Sequence, residues 1–229
     1  KCIDDYSYAI EEPRIGQSYP NYYISKLAGK FVKVSMSGSG GDELFAGYPW
    51  RYFSATNSKD FSNYARQYYD YWQRLLSVKE KKKLFKSNEL LNIDEKYCND
   101  LFYNIIEKAD LDKKNSNNFI NFSLYFELKT FLHSLFIVED KLSMAHGLET
   151  RVPFMDNDIV DFALNIPLKV KLLYNKSKKV NENIVGPKQK IYFQKTNKGK
   201  RILRRVAKKY FPPKVFNAQK KGFSAPDAG

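Results

Sequence analysis

Phe31-Val32-Lys33-Val34-Ser35-Met36 runs without a break into Ser37-Gly38-Ser39-Gly40-Gly41-Asp42-Glu43-Leu44-Phe45-Ala46-Gly47-Tyr48. The first six residues are short, β-branched and alternating, which predicts a strand. The serines and glycines that follow predict a turn, and Asp42-Glu43-Leu44-Phe45 reads as a helix start. Strand, glycine turn and helix in this order is the layout of an α/β nucleotide site. Glycines let the backbone approach a ligand closely and take positive φ. Successive N–H groups in such a turn, and at the helix start behind it, make a concave site for an anion. Asp42 and Glu43 would repel a bare phosphate. Two readings are therefore open: a Mg²⁺ ion between carboxylate and phosphate oxygens, or an ordinary glycine turn with Asp42 as a helix cap.

Outward from this stretch, a short helix is predicted over Asn21–Lys30, entered at Pro20. From about Lys59 the pattern is helical. Asp60–Leu76, Ser77–Lys86, Asp94–Asp110 and Asn117–Gly147 carry apolar residues at three- and four-residue spacing. The stripe of Phe61, Tyr64, Tyr68, Tyr71 and Trp72 reads as core packing rather than a stacking platform for bases. Asp156–Asn165 is a further helix ended by Pro167. Leu168–Gln194 is an irregular, Lys/Asn-rich excursion, and Thr196–Tyr210 a basic helix stopped by Pro212-Pro213. Only one strand is convincing, so its partners are expected upstream of Lys1.

With 229 residues, 43% of them hydrophobic, the chain can bury a real core. No run approaches the roughly 20 apolar residues of a membrane-spanning helix. Lys1-Cys2-Ile3-Asp4-Asp5 lacks the features of a signal peptide and starts in mid-pattern, as a fragment of a longer protein would. Cys2 and Cys98 lie far apart without metal-ligand spacing and are expected to be free thiols in a reducing cytoplasm. The net charge of +14 is concentrated: residues 169–221 hold 18 Lys or Arg and one acid, Glu182. Such a tract serves nucleic acid, an anionic membrane or a phosphorylated small ligand, or is simply a solvated face. Lys outnumbers Arg by 31 to 8 in the whole chain, and the tract's few Arg and lack of a reader motif argue against nucleic acid.

Two more segments carry chemistry. Asp140-Lys141-Leu142-Ser143-Met144-Ala145-His146-Gly147-Leu148-Glu149-Thr150-Arg151-Val152-Pro153-Phe154-Met155-Asp156 closes a helix with a dense charged run. Charges so close to Val152, Pro153 and Phe154 are expected to pair with one another in a partly buried corner, and His146 to be structural or capping. In Gln219-Lys220-Lys221-Gly222-Phe223-Ser224-Ala225-Pro226 a lysine before a flexible turn can reach an anion as a point charge.

Together and in this order, the three segments resemble the asparagine synthetase family over essentially the whole chain. The family pattern Ser-Gly-x-Gly-x-Asp-Glu-x-Phe-x-Gly-Tyr is matched from Ser37 to Tyr48. Asp-x-x-Ser-Met-Ala-x-x-x-Glu-x-Arg-x-Pro-Phe-x-Asp is matched at every fixed position from Asp140 to Asp156, and Lys-x-x-Phe-Ser by Lys220, Phe223 and Ser224. Glu12-Pro13 with Ser18 is a weaker match to a substrate-side Asp-Glu-Pro segment.

The resemblance implies an α/β fold: a fragment of an ATP-pyrophosphatase-like doubly wound parallel sheet, the visible part mainly α-helical. Residues 1–56 would end the nucleotide-binding core, and 57–229 would be the mostly helical portion of the same synthetase domain. It implies activation of the aspartate side chain by ATP as an aspartyl-adenylate, then attack by ammonia from a separate N-terminal glutaminase domain to give asparagine. Ser37, Gly38 and Gly40 would bind ATP, Asp42 would hold Mg²⁺, and Lys220 would draw on the phosphates. Ser39 falls at a catalytic position, and Glu149, Arg151 and Asp156 would hold the site's wall. The turn around Gly222 is a candidate lid. A cytoplasmic enzyme is implied, with a homodimer as one possible assembly.

Two departures stand out. The family's phosphate loop, Ser-Gly-Gly-x-Asp-Ser, does not occur in the chain and would precede Lys1, as would the glutaminase nucleophile, which Cys2 is not. The chain alone is therefore expected to be inactive. Ser39 stands where the family usually has a carboxylate, which leaves open a relative that amidates or cyclises a different carboxylate. A non-catalytic basic binding module is the reading from another class.

Overall fold

The computed structural model describes residues 2–12, 18–52, 58–73, 78–84, 88–173 and 199–218. Helix α1 (Ile3–Ile10) carries Asp4 and Asp5 in its first turn and ends where Glu11 takes φ 60°, acids at a helix start being favoured by its partial positive charge. Helix α2 (Ser18–Ala28) buries Ser18, Tyr22 and Ser25. It begins three residues before the predicted Asn21 because Pro20 falls in the first turn, where its missing N–H costs nothing. Ile10 and Tyr22 pack with Val138 and Leu142 in a small cluster.

Strand β1 (Val34–Met36) is the second half of the predicted strand, and α3 (Gly41–Leu44) follows the glycine turn. A 3-10 turn covers Pro49–Tyr52. Helix α4 (Phe61–Trp72) starts at Asp60, whose carboxylate accepts the Asn63 N–H at 2.8 Å, a side-chain cap. Then come α5 (Val78–Leu84), α6 (Asn88–Glu107) and α7 (Phe119–Glu127). A π-helical turn over Leu128–Leu132 leads directly into α8 (His133–Met144). The predicted Asn117–Gly147 helix is thus one rod with a π turn in its middle, which sequence periodicity did not reveal. A π turn inserts a residue and re-aims the faces beyond it.

Strand β2 (Glu149–Arg151) corrects the expectation that partners for β1 lie only upstream. It pairs with β1 in parallel, Val34 opposite Glu149, Ser35 opposite Thr150 and Met36 opposite Arg151. Three residues reading exposed, half-buried, exposed leave no apolar alternation to find. The charged run is corrected with it. Arg151 Nε donates to Glu149 Oε1 at 2.9 Å, but the side chains are 64% and 56% exposed, so the pair lies on the surface; such pairs contribute about 1 kcal/mol at most. Helix α9 (Asn157–Asn165) follows, then one helical turn, α10 (Leu168–Lys171), where an irregular segment was expected. Helix α11 (Arg201–Tyr210) ends before Pro212-Pro213 as predicted, and α12 (Pro213–Phe216) starts at the second proline. Among the described residues no helix is long and apolar enough to cross a membrane.

The main core lies between α4, α6 and α7. Tyr64 and Tyr68 of the predicted stripe are fully buried among Phe102, Ile106, Phe119, Phe122 and Phe126. Burial of tyrosine requires partners for its hydroxyl. Tyr64 has the Ser123 hydroxyl, and Tyr68 donates to Glu127 Oε1 at 2.9 Å. Glu127 faces Arg51 at 3.5 Å, with side chains 0% and 8% exposed. The Arg51 guanidinium also lies 3.7 Å from the Tyr48 ring centre and 4.2 Å from that of Phe131, close enough for a desolvated cation–π contact.

Burial outweighs Arg51 and pushes the Glu127 carboxyl up to about 7 from 4.5. The folded chain therefore keeps a proton that the unfolded chain releases, and stability falls as pH rises from about 4.5 to about 7, then levels off. The full span corresponds to about 3 kcal/mol. Chemical denaturation followed by tryptophan fluorescence is expected to show this slope in the wild type and lose it in Glu127→Gln. Equal slopes would contradict it.

Candidate active site

The glycine turn leaves the carboxyl end of β1, the place where open α/β sheets bind ligands. The ladder continues one step beyond the strand, the Ser37 N–H donating to the Arg151 carbonyl at 2.8 Å. Gly40 has φ +88°, a left-handed conformation, and a Cβ there would lie 2.7 Å from Met155 Sδ. The sequence needs glycine at this position because the turn folds back against the 3-10 turn Pro153–Met155. Gly38 is different: among the described residues nothing lies within 4 Å of a Cβ built on it, so the turn is open there.

The serines are tied down by a directed chain of hydrogen bonds. Ser39 N–H donates to Ser37 Oγ at 3.2 Å, Ser37 Oγ donates to Ser39 Oγ at 3.0 Å, and Ser39 Oγ donates to Glu139 Oε2 at 2.8 Å. Glu139 sits on α8, so at residue 39, where the resemblance leads one to expect a carboxylate, a carboxylate arrives from the neighbouring helix. Glu139 also lines a cavity of about 390 Å³ with Phe136, Ile137, Asp140, Thr150 and Val152. The Thr150 hydroxyl lies 3.3 Å from that of Ser35, joining the two strands on the half-buried side of the sheet.

Behind the turn, the second half of the motif faces inward. Leu44, Phe45 and Ala46 are buried, and so is Glu43, whose carboxyl is pushed up first by burial and then by Asp42. Asp42 Oδ1 pairs with Lys200 Nζ at 2.8 Å. The Lys200 N–H donates to the Phe45 carbonyl at 3.0 Å, docking the start of α11 on the motif. A Cβ on Gly47 would lie 1.7 Å from Asp42 Oδ1 and 2.7 Å from Lys200 Cε, so this glycine makes room for the ion pair.

The expected site residues are thus partly assembled. Ser37, Gly38, Ser39, Gly40 and Asp42 share one turn, and Glu149 and Arg151 belong to the adjoining strand. Asp156 caps α9 by accepting the Asp158 N–H at 3.0 Å. Lys220, Phe223, Ser224 and the Gly222 turn lie outside the described residues. His146 packs edge-on against Tyr22, ring centres 4.5 Å apart. The Asp42 carboxylate is turned to Lys200, and no cluster of three His, Cys, Asp or Glu among the described residues is placed to hold an ion.

Two residues of the site were missed from sequence. Glu139 immediately precedes the Asp140–Asp156 motif, so extending that reading by one position would have included it. Lys200 is one of 18 basic residues in its tract and carries no distinguishing signal beyond the glycine before it.

The described residues form a mostly helical structure with a small two-stranded parallel sheet and a glycine turn at its carboxyl end. The chain belongs to the asparagine synthase family, whose model matches residues 1–229. It is 26% identical over 230 residues to "Asparagine synthetase [glutamine-hydrolyzing] 1" of Bacillus subtilis (strain 168), a match covering 90% of this chain and 33% of that protein. It is 29% identical over 164 residues to "Asparagine synthetase [glutamine-hydrolyzing] 3" of the same organism, covering 69% of this chain and 24% of that protein. The chain thus spans about a third or less of the length of these relatives. A stretch of 105 residues, 44% of the chain, is 29% identical to 13% of "Amidase chry2" of Gibberella zeae.

The two glycines predict opposite outcomes. Gly47→Ala must displace the Asp42–Lys200 pair and is expected to cost about 2 kcal/mol in thermal denaturation, the scale of overpacking a filled site. Gly38→Ala is expected to leave the melting temperature unchanged, since its Cβ meets open space. A reversed order would contradict the assigned packing.

Proposed function

We propose that this chain is part of the synthetase domain of an ATP-dependent ligase that adenylates the side-chain carboxylate of aspartate and passes it to glutamine-derived ammonia, giving asparagine. The family match over residues 1–229 carries the reading. The turn supports it: an opening beside Gly38, at the carboxyl end of a parallel strand, next to a cavity large enough for a small substrate. In this reading residues 1–56 end the nucleotide-binding core of a doubly wound sheet, and 57–229 form its helical portion.

Ser37, Gly38 and Gly40 would line the nucleotide, Gly38 and Gly40 with backbone N–H groups, which stabilise phosphate charge without reorganising; the Ser37 N–H is held by the Arg151 carbonyl. Mg²⁺ would accompany the phosphates, with Asp42 as the residue to hold it. Lys220 would neutralise charge on the departing pyrophosphate as a point charge. An acyl-adenylate must be kept from water until ammonia arrives, a task for the segment around Gly222. Glu149, Arg151 and Asp156 would hold the wall through backbone pairing and capping.

A second reading has specific support. Ser39 in place of the family's usual carboxylate, together with the partial likeness to a protein named an amidase, favours a related synthetase acting on a different carboxylate. ATP–pyrophosphate exchange by the full-length protein separates the two. Exchange that requires aspartate is expected, and Lys220→Ala is expected to lower it about a hundredfold, the typical cost of one transition-state contact. Exchange indifferent to aspartate but driven by another carboxylate would transfer the assignment to the second reading.

A further inference from the structure

We propose that Glu139 is the positioning residue of the glycine turn, setting the geometry of the turn's open side through Ser39; the inference rests on the ligase reading for its catalytic consequence. A carboxylate accepts hydrogen bonds and has none to donate. The Ser39 hydroxyl proton must therefore point at Glu139 Oε2, 2.8 Å away. The Ser39 oxygen is then left to accept from Ser37 Oγ at 3.0 Å, and Ser37 Oγ to accept from the Ser39 N–H at 3.2 Å. One side chain on α8 thus fixes both hydroxyls and one backbone amide of the turn.

The link spans a hundred residues of sequence. The glycine turn has no other side chain long enough to hold itself against α8, since residues 37–41 are serine and glycine only. A bond to a charged acceptor is stronger than a neutral one, and a small misplacement of reacting groups costs orders of magnitude in rate. Glu139 also lines the adjoining cavity, so it stands between the turn and the space a substrate would fill.

The test uses the full-length protein and ATP–pyrophosphate exchange. Glu139→Ala and Ser39→Ala are each expected to lower kcat about tenfold or more, with KM for ATP nearly unchanged. The double variant should be no worse than either single one, because both cut the same link. Moving the charge into the turn, as Ser39→Asp with Glu139→Gln, is expected to recover most of the rate, while Ser39→Asp alone sets two carboxylates side by side and is expected to lower it. Additive losses, or full activity in Glu139→Ala, would overturn the proposal.

Should the wild type exchange with no carboxylate at all, the ligase reading fails by itself. The positioning claim is then read from amide hydrogen exchange. Faster exchange of the residue 38–41 amides in Glu139→Ala, or in Ser39→Ala if the first variant does not fold, with global stability unchanged, supports it. Unaltered exchange refutes it.

Discussion

The parallel pairing of Val34–Met36 with Glu149–Arg151 is the contact on which everything else in this molecule depends. It is short and made by backbone groups. Yet it brings together two sequence motifs separated by all of α4 to α8, and closing so long a loop has an entropic cost that a three-residue ladder cannot offset alone. The ladder is extended by the Ser37–Arg151 hydrogen bond and flanked by Gly40 against Met155. The turn is thereby pressed between the strand pair and the 3-10 turn after β2, leaving Gly38 at the opening.

The helices work in support of that pairing from both sides. The rod formed by α7, the π turn and α8 passes from the aromatic core to the turn. Near one end Glu127 is enclosed with Arg51, Tyr52 and Tyr68; further along, Glu139 reaches Ser39. The π turn between them allows one rod to bury a carboxylate on one side and present another to the sheet. On the far side, α9 and α11 cover Leu44 and Phe45, and Lys200 closes on Asp42. A motif that invites a purely ligand-binding interpretation is therefore half structural: Gly38 is exposed between the half-buried Ser37 and Ser39, while Gly40, Gly41 and residues 43–46 are buried.

This division changes what the resemblance to asparagine synthetases means residue by residue. Family membership covers the chain, but the chain spans a third or less of the relatives' length, and its acidic residues are not deployed as a list of ligands. Asp42 is neutralised by a lysine from the basic tract, Glu43 is buried, and Glu149 meets Arg151 on the surface. The carboxylate nearest the turn's serines is Glu139. Charge close to the open side of the turn is thus supplied from a helix.

The sequence by itself determined the helices and the turn, because both are encoded locally. Tyr64 and Tyr68 stand one helical turn apart and had to face the same way, Asp60 caps the helix that carries them, and a left-handed φ at residue 40 could be met cheaply only by glycine. What the tertiary structure alone decided was which distant groups would meet. Strand β2 has no apolar alternation, Lys200 is one cation among many, and Glu139 looks like any acid on a helix until α8 is laid beside the turn. Those identities depend on long-range pairing, where the energy of a contact is set by burial and direction in space and leaves no period in the sequence.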